Sequence, residues 1–353
     1  MLPSSYRLSF NAMAIVAAVV LCGLLAGGVS AQSSTSPPPP GKKSKAKKKK
    51  LPERESVTFV TKDSVELHAD YYGGMNEKET VPVLLLHDIG GSRAGLLPLA
   101  QHLQKKYGHA VLVPDLRGHG ESVRVEGIQK EIDAAKFKRT ELESIFEDLE
   151  QCKRFLMAKN NVGELNIDLL SVAAVGSTGI QTVRWANRDW SWAPVGGVKQ
   201  GQDVKAMVLI SPVKRFKGMN ISGDLKSALI SGKGAFPPIP LMMTWGSSNK
   251  TAAKDGNSMV DQLKKSRPKV KEKIGDEGWW ENETLFKVVR KDSSTGMKFV
   301  EKQIKGIQND IGLFIENKVT AVKDDHRWQN RSPKTDDEEE DEDGSGNSEE
   351  DGG

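Results

Sequence analysis

Between residues 56 and 319 of the 353-residue chain, blocks of strand-like and helix-like hydrophobic pattern alternate. In SVTFVTKDSVELHADYYGG, apolar and polar residues alternate on both sides of Lys62-Asp63-Ser64, which predicts two half-buried strands joined as a hairpin. VPVLLLHDIGGSR begins instead with an unbroken apolar run, the pattern of a strand covered on both faces, and ends in a Gly-Gly loop. LLPLAQHLQKKYG has helical period and stops at Gly108, as a helix closed by glycine should. HAVLVPDLRGHGES repeats the strand-and-glycine-loop pattern, ELESIFEDLEQCKRFLMAKNN is helical, and LNIDLLSVAAVG is a further strand. The remainder reads as helix IQTVRWANRDW, strand VKAMVLISP, a connection of about 25 residues between Pro212 and Pro238, strand IPLMMTWG, helix MVDQLKKS, strand TLFKVVRK and helix EKQIKGIQNDIGLFIENKV. Such alternation predicts an α/β fold with a mostly parallel sheet, helices on both faces and an antiparallel hairpin at its start.

The two ends depart from this pattern. Residues 1–31 carry Arg7, an apolar run over 12–26 and then Val29-Ser30-Ala31, which predicts a signal peptide cleaved after Ala31 and hence export to the periplasm, cell envelope or medium. The run is shorter than the roughly 18 residues of a spanning helix, so an uncleaved anchor is the lesser reading. Cys22 suggests a lipoprotein, but the bulky Leu21 before it argues against one, and cleavage leaves Cys152 alone, without an intrachain disulfide. Residues 32–51 hold four prolines and seven lysines, the first Lys42 and the last Lys50, and residues 331–353 hold eleven carboxylates. Both segments lack the apolar side chains that offset ordering entropy, so both are expected to be disordered. The net charge of +4 conceals this segregation. The lysine run would favour an anionic envelope or membrane surface, although a solvated spacer is the plainer reading. Residues 52–330 are left as one domain, with 37% hydrophobic content along the chain to fill a core. With no metal-spaced Cys/His cluster, phosphate loop or nucleic-acid module, no metal, cofactor or nucleic-acid partner is expected.

Two strand ends carry a resemblance. LLLHDIGGSR followed by VLVPDLRGHGES resembles the paired loops of the α/β-hydrolase superfamily, particularly its lipase-like and serine aminopeptidase-like branch, here as an exported bacterial-type member. The first loop there usually reads His-Gly-x-x-Gly-Ser, the second Asp-x-Arg-Gly-His-Gly-x-Ser. The resemblance spans about residues 56–320 and implies an eight-stranded α/β-hydrolase sheet with reactive groups at the carboxyl ends of its strands.

That chemistry requires a nucleophile, a histidine, an acid that holds the histidine, and backbone donors for the oxyanion. The loop after His87 would supply donors and keeps Gly90 and Gly91, but has Asp88 where glycine is usual; a carboxylate there would repel an oxyanion unless it points away. In VAAVGSTGI the elbow has two registers. If Gly179 closes it, Ser177 is a degenerate nucleophile, Thr178 follows it as an oxyanion donor and the β-branched Val175 replaces the leading glycine. If the turn falls one residue earlier, at Gly176, there is no nucleophile. In the plainer reading Ser177 and Thr178 are small polar residues capping a helix. Asn249 stands where the acid is expected and cannot stabilise an imidazolium, a change that lowers turnover about 10⁴-fold in a serine protease. Asp255 could replace it only if its loop bends back. The histidine base is absent from residues 291–296, and His68, His102, His109 and His326 fall elsewhere.

A turnover of about 10 s⁻¹ reduced by about 10⁶ leaves on the order of one event per day. The expectation is therefore a non-catalytic, exported α/β-hydrolase-like binding or interaction module of the cell envelope, holding a small-molecule or peptide ligand in its cleft. Trp185, Trp190 and Trp192 could line that cleft, though their helical spacing is more often core packing; Trp279 and Trp280 precede a strand and should be structural. The competing expectations are a weak serine hydrolase of ester or amide bonds using Ser177, and an acid/base pair of Asp88 and Asp115.

Overall fold

The computed structural model describes residues 50–129, 131–195, 199–234, 237–272 and 283–332. The signal segment, the acidic run, Trp279, Trp280 and all of the lysine run except Lys50 lie outside them. In chain order the elements are β1 (Arg54–Val60), β2 (Glu66–Tyr72), β3 (Pro82–Leu86), α1 (Leu97–Tyr107), β4 (Ala110–Pro114), α2 (Arg139–Glu143), α3 (Ile145–Asn161), β5 (Leu170–Val175), α4 (Thr178–Asp189), β6 (Val204–Ile210), β7 (Arg215–Phe216), β8 (Met219–Asn220), α5 (Ala228–Ser231), β9 (Leu241–Gly246), α6 (Lys250–Lys264), β10 (Val270–Lys271), β11 (Leu285–Arg290) and α7 (Gly296–Lys318). Nine strands form one sheet in the order β1-β2-β4-β3-β5-β6-β9-β11-β10, antiparallel at β1-β2 and β2-β4 and parallel elsewhere. The ninth strand, β10, is a two-residue addition at the edge, beyond the eight the resemblance implied.

Every residue of β3, β4 and β5 is buried, which is why their sequences show no alternation. Leu84, Leu86, Val172 and Ala174 pack on the face covered by α3, α4 and α6, while Val83, Leu85, Ala173 and Val175 pack under α1 and α7. Cys152 of α3 is fully buried in the first of these layers. The hairpin turn falls at Lys62-Asp63-Ser64, where Ser64 takes φ +66° and Thr61 Oγ1 accepts the Val65 N–H at 2.9 Å. Gly108, at φ +72°, ends α1 as its position suggested. The Pro212–Pro238 connection holds the two-strand pair β7-β8 and the one-turn helix α5, and α6 begins at Lys250, nine residues ahead of the apolar run that signalled it.

β3 pairs with β4 on one side and β5 on the other. The chain therefore leaves β3 and β5 in opposite lateral directions, and their carboxyl ends flank a crevice, the place where open α/β sheets hold ligands.

Candidate functional site: a carboxylate at the end of the sheet

At this crevice β5 ends on Val175 and α4 begins at Thr178. The sharp turn between them is made by Gly176 at φ +60°, while Ser177 is already helical at φ −71°. Of the two registers open in the sequence, the molecule has the one centred on Gly176. That is the position that would present a side chain to the crevice, and it has none. A β-carbon built on Gly176 would fall 2.0 Å from Asp88 Oδ2, so the carboxylate occupies the space such a side chain would need.

Asp88 follows β3 and points inward. Its Oδ1 accepts the Ile89 N–H, the Ser177 N–H and the Ser177 hydroxyl, each at 2.8 Å. Oδ2 accepts no hydrogen bond among the described residues and faces the Cα atoms of Gly176 and Gly296; a β-carbon on Gly296 would lie 2.6 Å from it. Gly296, at φ +56°, opens α7 and is tied down by its N–H to Ser211 Oγ at 2.9 Å. Burial pushes the Asp88 carboxyl above its ordinary pKa, and the hydrogen bonds from Ser177 and Ile89 oppose that rise without cancelling it.

The other sequence candidates divide between this recess and supporting roles. Ser177 is 3% exposed, and its hydroxyl donates to Asp88 rather than capping α4. Thr178 does not cap either; its hydroxyl donates to the His87 carbonyl at 2.8 Å. The Gly90 N–H goes to His119 Nε2 at 2.9 Å and the Gly91 N–H to the Asp88 carbonyl at 2.8 Å, so Ile89 is the residue of this loop whose N–H reaches the carboxylate. His87 Nε2 accepts the Leu116 N–H at 3.0 Å and its Nδ1 meets the Asp88 carbonyl at 2.8 Å. These partners assign the neutral tautomer protonated on Nδ1, and burial takes the pKa of His87 down to about 4. His119 has the same tautomer by the same logic, with Nδ1 at 2.9 Å from the Arg117 carbonyl. The two rings meet edge to face at 4.9 Å and brace the loop after β3 against the loop after β4.

Asn249 caps α6, its Oδ1 accepting the Ala252 N–H at 3.0 Å, and its Nδ2 donates to the Ser293 carbonyl at 3.1 Å. Asp255 holds the Lys214 N–H at 3.0 Å and does not bend back. Asp115 is taken up by the backbone and guanidinium of Arg93, which also bridges Asp70 and Glu121, so it makes no pair with Asp88. Among the described residues of the loop after β11 there is no histidine. Trp185 is fully buried with Nε1 on Glu150 at 2.7 Å, and Trp190 Nε1 binds the Val204 carbonyl at 2.8 Å, at the opposite end of the sheet from Asp88. His326 also lies at that far end, 3.4 Å from Asp168. No cluster that could hold a metal ion occurs among the described residues.

Sheet order, helix layers and the crevice between β3 and β5 define the α/β-hydrolase fold. Solved structures agree: the Pyrococcus furiosus esterase Pf2001 superposes with TM-score 0.51 at 15% identity, covering 76% of this chain and 93% of its own. EstE1, a thermophilic carboxylesterase cloned from a metagenomic library, does so with TM-score 0.50 at 14% identity, covering 77% and 91%. At these identities the likeness is one of fold. No protein-family model matches the chain, and no curated protein does.

Proposed function

We propose that this chain is a non-catalytic α/β-hydrolase-fold protein, exported by its first 31 residues and acting as a binding or interaction module of the cell envelope. The observation that carries the loss of catalysis is Gly176 at the sharp turn after β5, with the Asp88 carboxylate in the space a nucleophile would fill. Ser177 next to it is buried, donates its hydroxyl to the Asp88 carboxylate, and has no histidine partner among the described residues. Export is supported by Arg7, the apolar run and the small residues before Ala31.

One experiment tests both halves. Full-length protein is expressed in a bacterial host, recovered by fractionation, and treated with a fluorophosphonate probe beside a Ser177→Ala control. Recovery from the envelope or periplasm with no labelling is the expected result. Labelling that disappears in Ser177→Ala would establish a serine hydrolase, and recovery from the cytosol alone would remove export.

A further inference from the structure

We infer that Asp88 is a resident ligand: its carboxylate fills an anion-binding recess formed by Ile89, Ser177 and the start of α4, and this recess takes a small free carboxylate once Asp88 is removed. The inference rests on the non-catalytic reading above and extends it to what the recess is built to hold.

Three donors from two distant parts of the chain converge on one oxygen. The Ile89 N–H follows β3, while the Ser177 N–H and hydroxyl stand at the head of the twelve-residue α4, and each lies 2.8 Å from Asp88 Oδ1. Fixed donors at a helix start favour negative charge, and donors of this kind stabilise an oxyanion when an oxyanion occupies the place. Here the place is already taken. Oδ2 extends the carboxylate over the bare Cα atoms of Gly176 and Gly296, where a β-carbon would lie 2.0 and 2.6 Å away, so the two glycines shape a slot for the second oxygen. A carbonyl substrate would have to displace a covalently tethered anion before it met a donor. Tethering favours the resident group through effective concentration, so free anions do not compete in the native chain.

Asp88→Gly deletes the carboxylate and leaves all three donors in place. Formate carries the same two-oxygen group without a tether. Thermal unfolding of the full chain is compared in sodium formate and in sodium chloride of equal ionic strength. In Asp88→Gly, formate raises Tm by about 2–4 °C over chloride. Wild type and Asp88→Asn, whose side chain still fills the slot, show no such difference. Equal behaviour of Asp88→Gly in both salts, or a formate shift of the same size in wild type, overturns the inference.

Should Asp88→Gly fail to fold, the carboxyl ¹³C titration of Asp88 in wild type and in Ser177→Ala decides the matter. Loss of the Ser177 hydroxyl moves the Asp88 midpoint upward, and an unmoved midpoint means that Ser177 does not hold it. The two readings fail separately. A labelled wild type with a formate-responsive Asp88→Gly breaks the functional proposal alone, and an unlabelled wild type with an indifferent Asp88→Gly breaks this inference alone.

Discussion

Carboxylates sit at both ends of α4, a half-buried one at its head and a buried one at its foot, and they are held in opposite ways. Ahead of its first residue, Asp88 is met by two backbone N–H groups and a hydroxyl, all neutral. At its last residue, Asp189 binds Lys153, which also lies 2.8 Å from Asp203; Asp203 in turn meets Arg331 at 2.5 Å and Lys199 at 3.4 Å. Asp168, just before β5, completes this far cluster with Lys199, Lys205 and His326. Neutral donors reach only Oδ1 of Asp88 and bring no opposing charge, so burial wins and its pKa rises. Burial raises Asp168 too, but His326, Lys205 and Lys199 outweigh it and hold that carboxyl below the ordinary range. Cations at the far end anchor a structure, whereas neutral donors at the near end hold a single carboxylate oxygen.

The sharpest way to break this comparison is Asp203→Ala, which takes from Arg331 its carboxylate among the described residues, and from Lys153 and Lys199 one of the two each holds, at a fully buried position. Losing one member of a buried ion-pair network costs about 3–5 kcal/mol, and urea unfolding should show it. A loss below about 1 kcal/mol would mean that these charges are solvated in solution. Next comes Gly176→Ala. Positive φ alone costs about 1–3 kcal/mol, and the clash with Asp88 adds to it. The double variant Gly176→Ala with Asp88→Gly should be more stable than the two single losses sum to, because the clash is gone. Strict additivity would show that Asp88 lies elsewhere.

The smallest effect is one of pH. Asp168, depressed when folded, contributes stability that is present above the ordinary aspartate value of about 3.9 and lost as pH falls through its folded value. Asp88, raised when folded, contributes the opposite: its stabilisation is present below about 3.9 and lost as pH rises through its folded value. Relative to wild type, Asp168→Asn should lose less stability on acidification below that point. Asp88→Asn should remove a decline on the neutral side. Identical pH profiles for the two variants would erase the distinction between the ends of α4.

How much of this could be read from the chain alone varies with the range of the interaction. Local pattern gave the hairpin at Lys62-Asp63-Ser64, the continuous strands and the Gly108 stop, because each depends on residues within a few positions. The start of α6 escaped because the segment after Lys250 is rich in polar and small residues, and its only marker was Asn249, which the resemblance set at the position of the missing catalytic acid and the fold uses as an N-cap. VGSTG contains two glycines and permits two turns. The choice rests on the Asp88 side chain, 88 positions before Gly176, and on Gly296 from the far end of the domain, which no local period reports. Asp88 itself was conspicuous as an acid in place of a glycine, but the direction it points depends on its tertiary partners. Ile89 and Gly296 carried no signal beyond their neighbours.

Cys152 turns the interior into a clock. Its thiol is fully buried on α3, burial pushes its pKa well up, and the charge of Asp148 adds to that. Because the thiolate is the reacting form, alkylation must wait for the core to open. Among the described residues it is the one free cysteine, so the rate at which a thiol reagent consumes it times the exposure of a single layer of the sheet. Under fast reclosing that rate gives the population of the open form, and under fast alkylation it gives the opening rate itself. The protein thus carries its own stopwatch for how long the α3 side of the sheet stays shut.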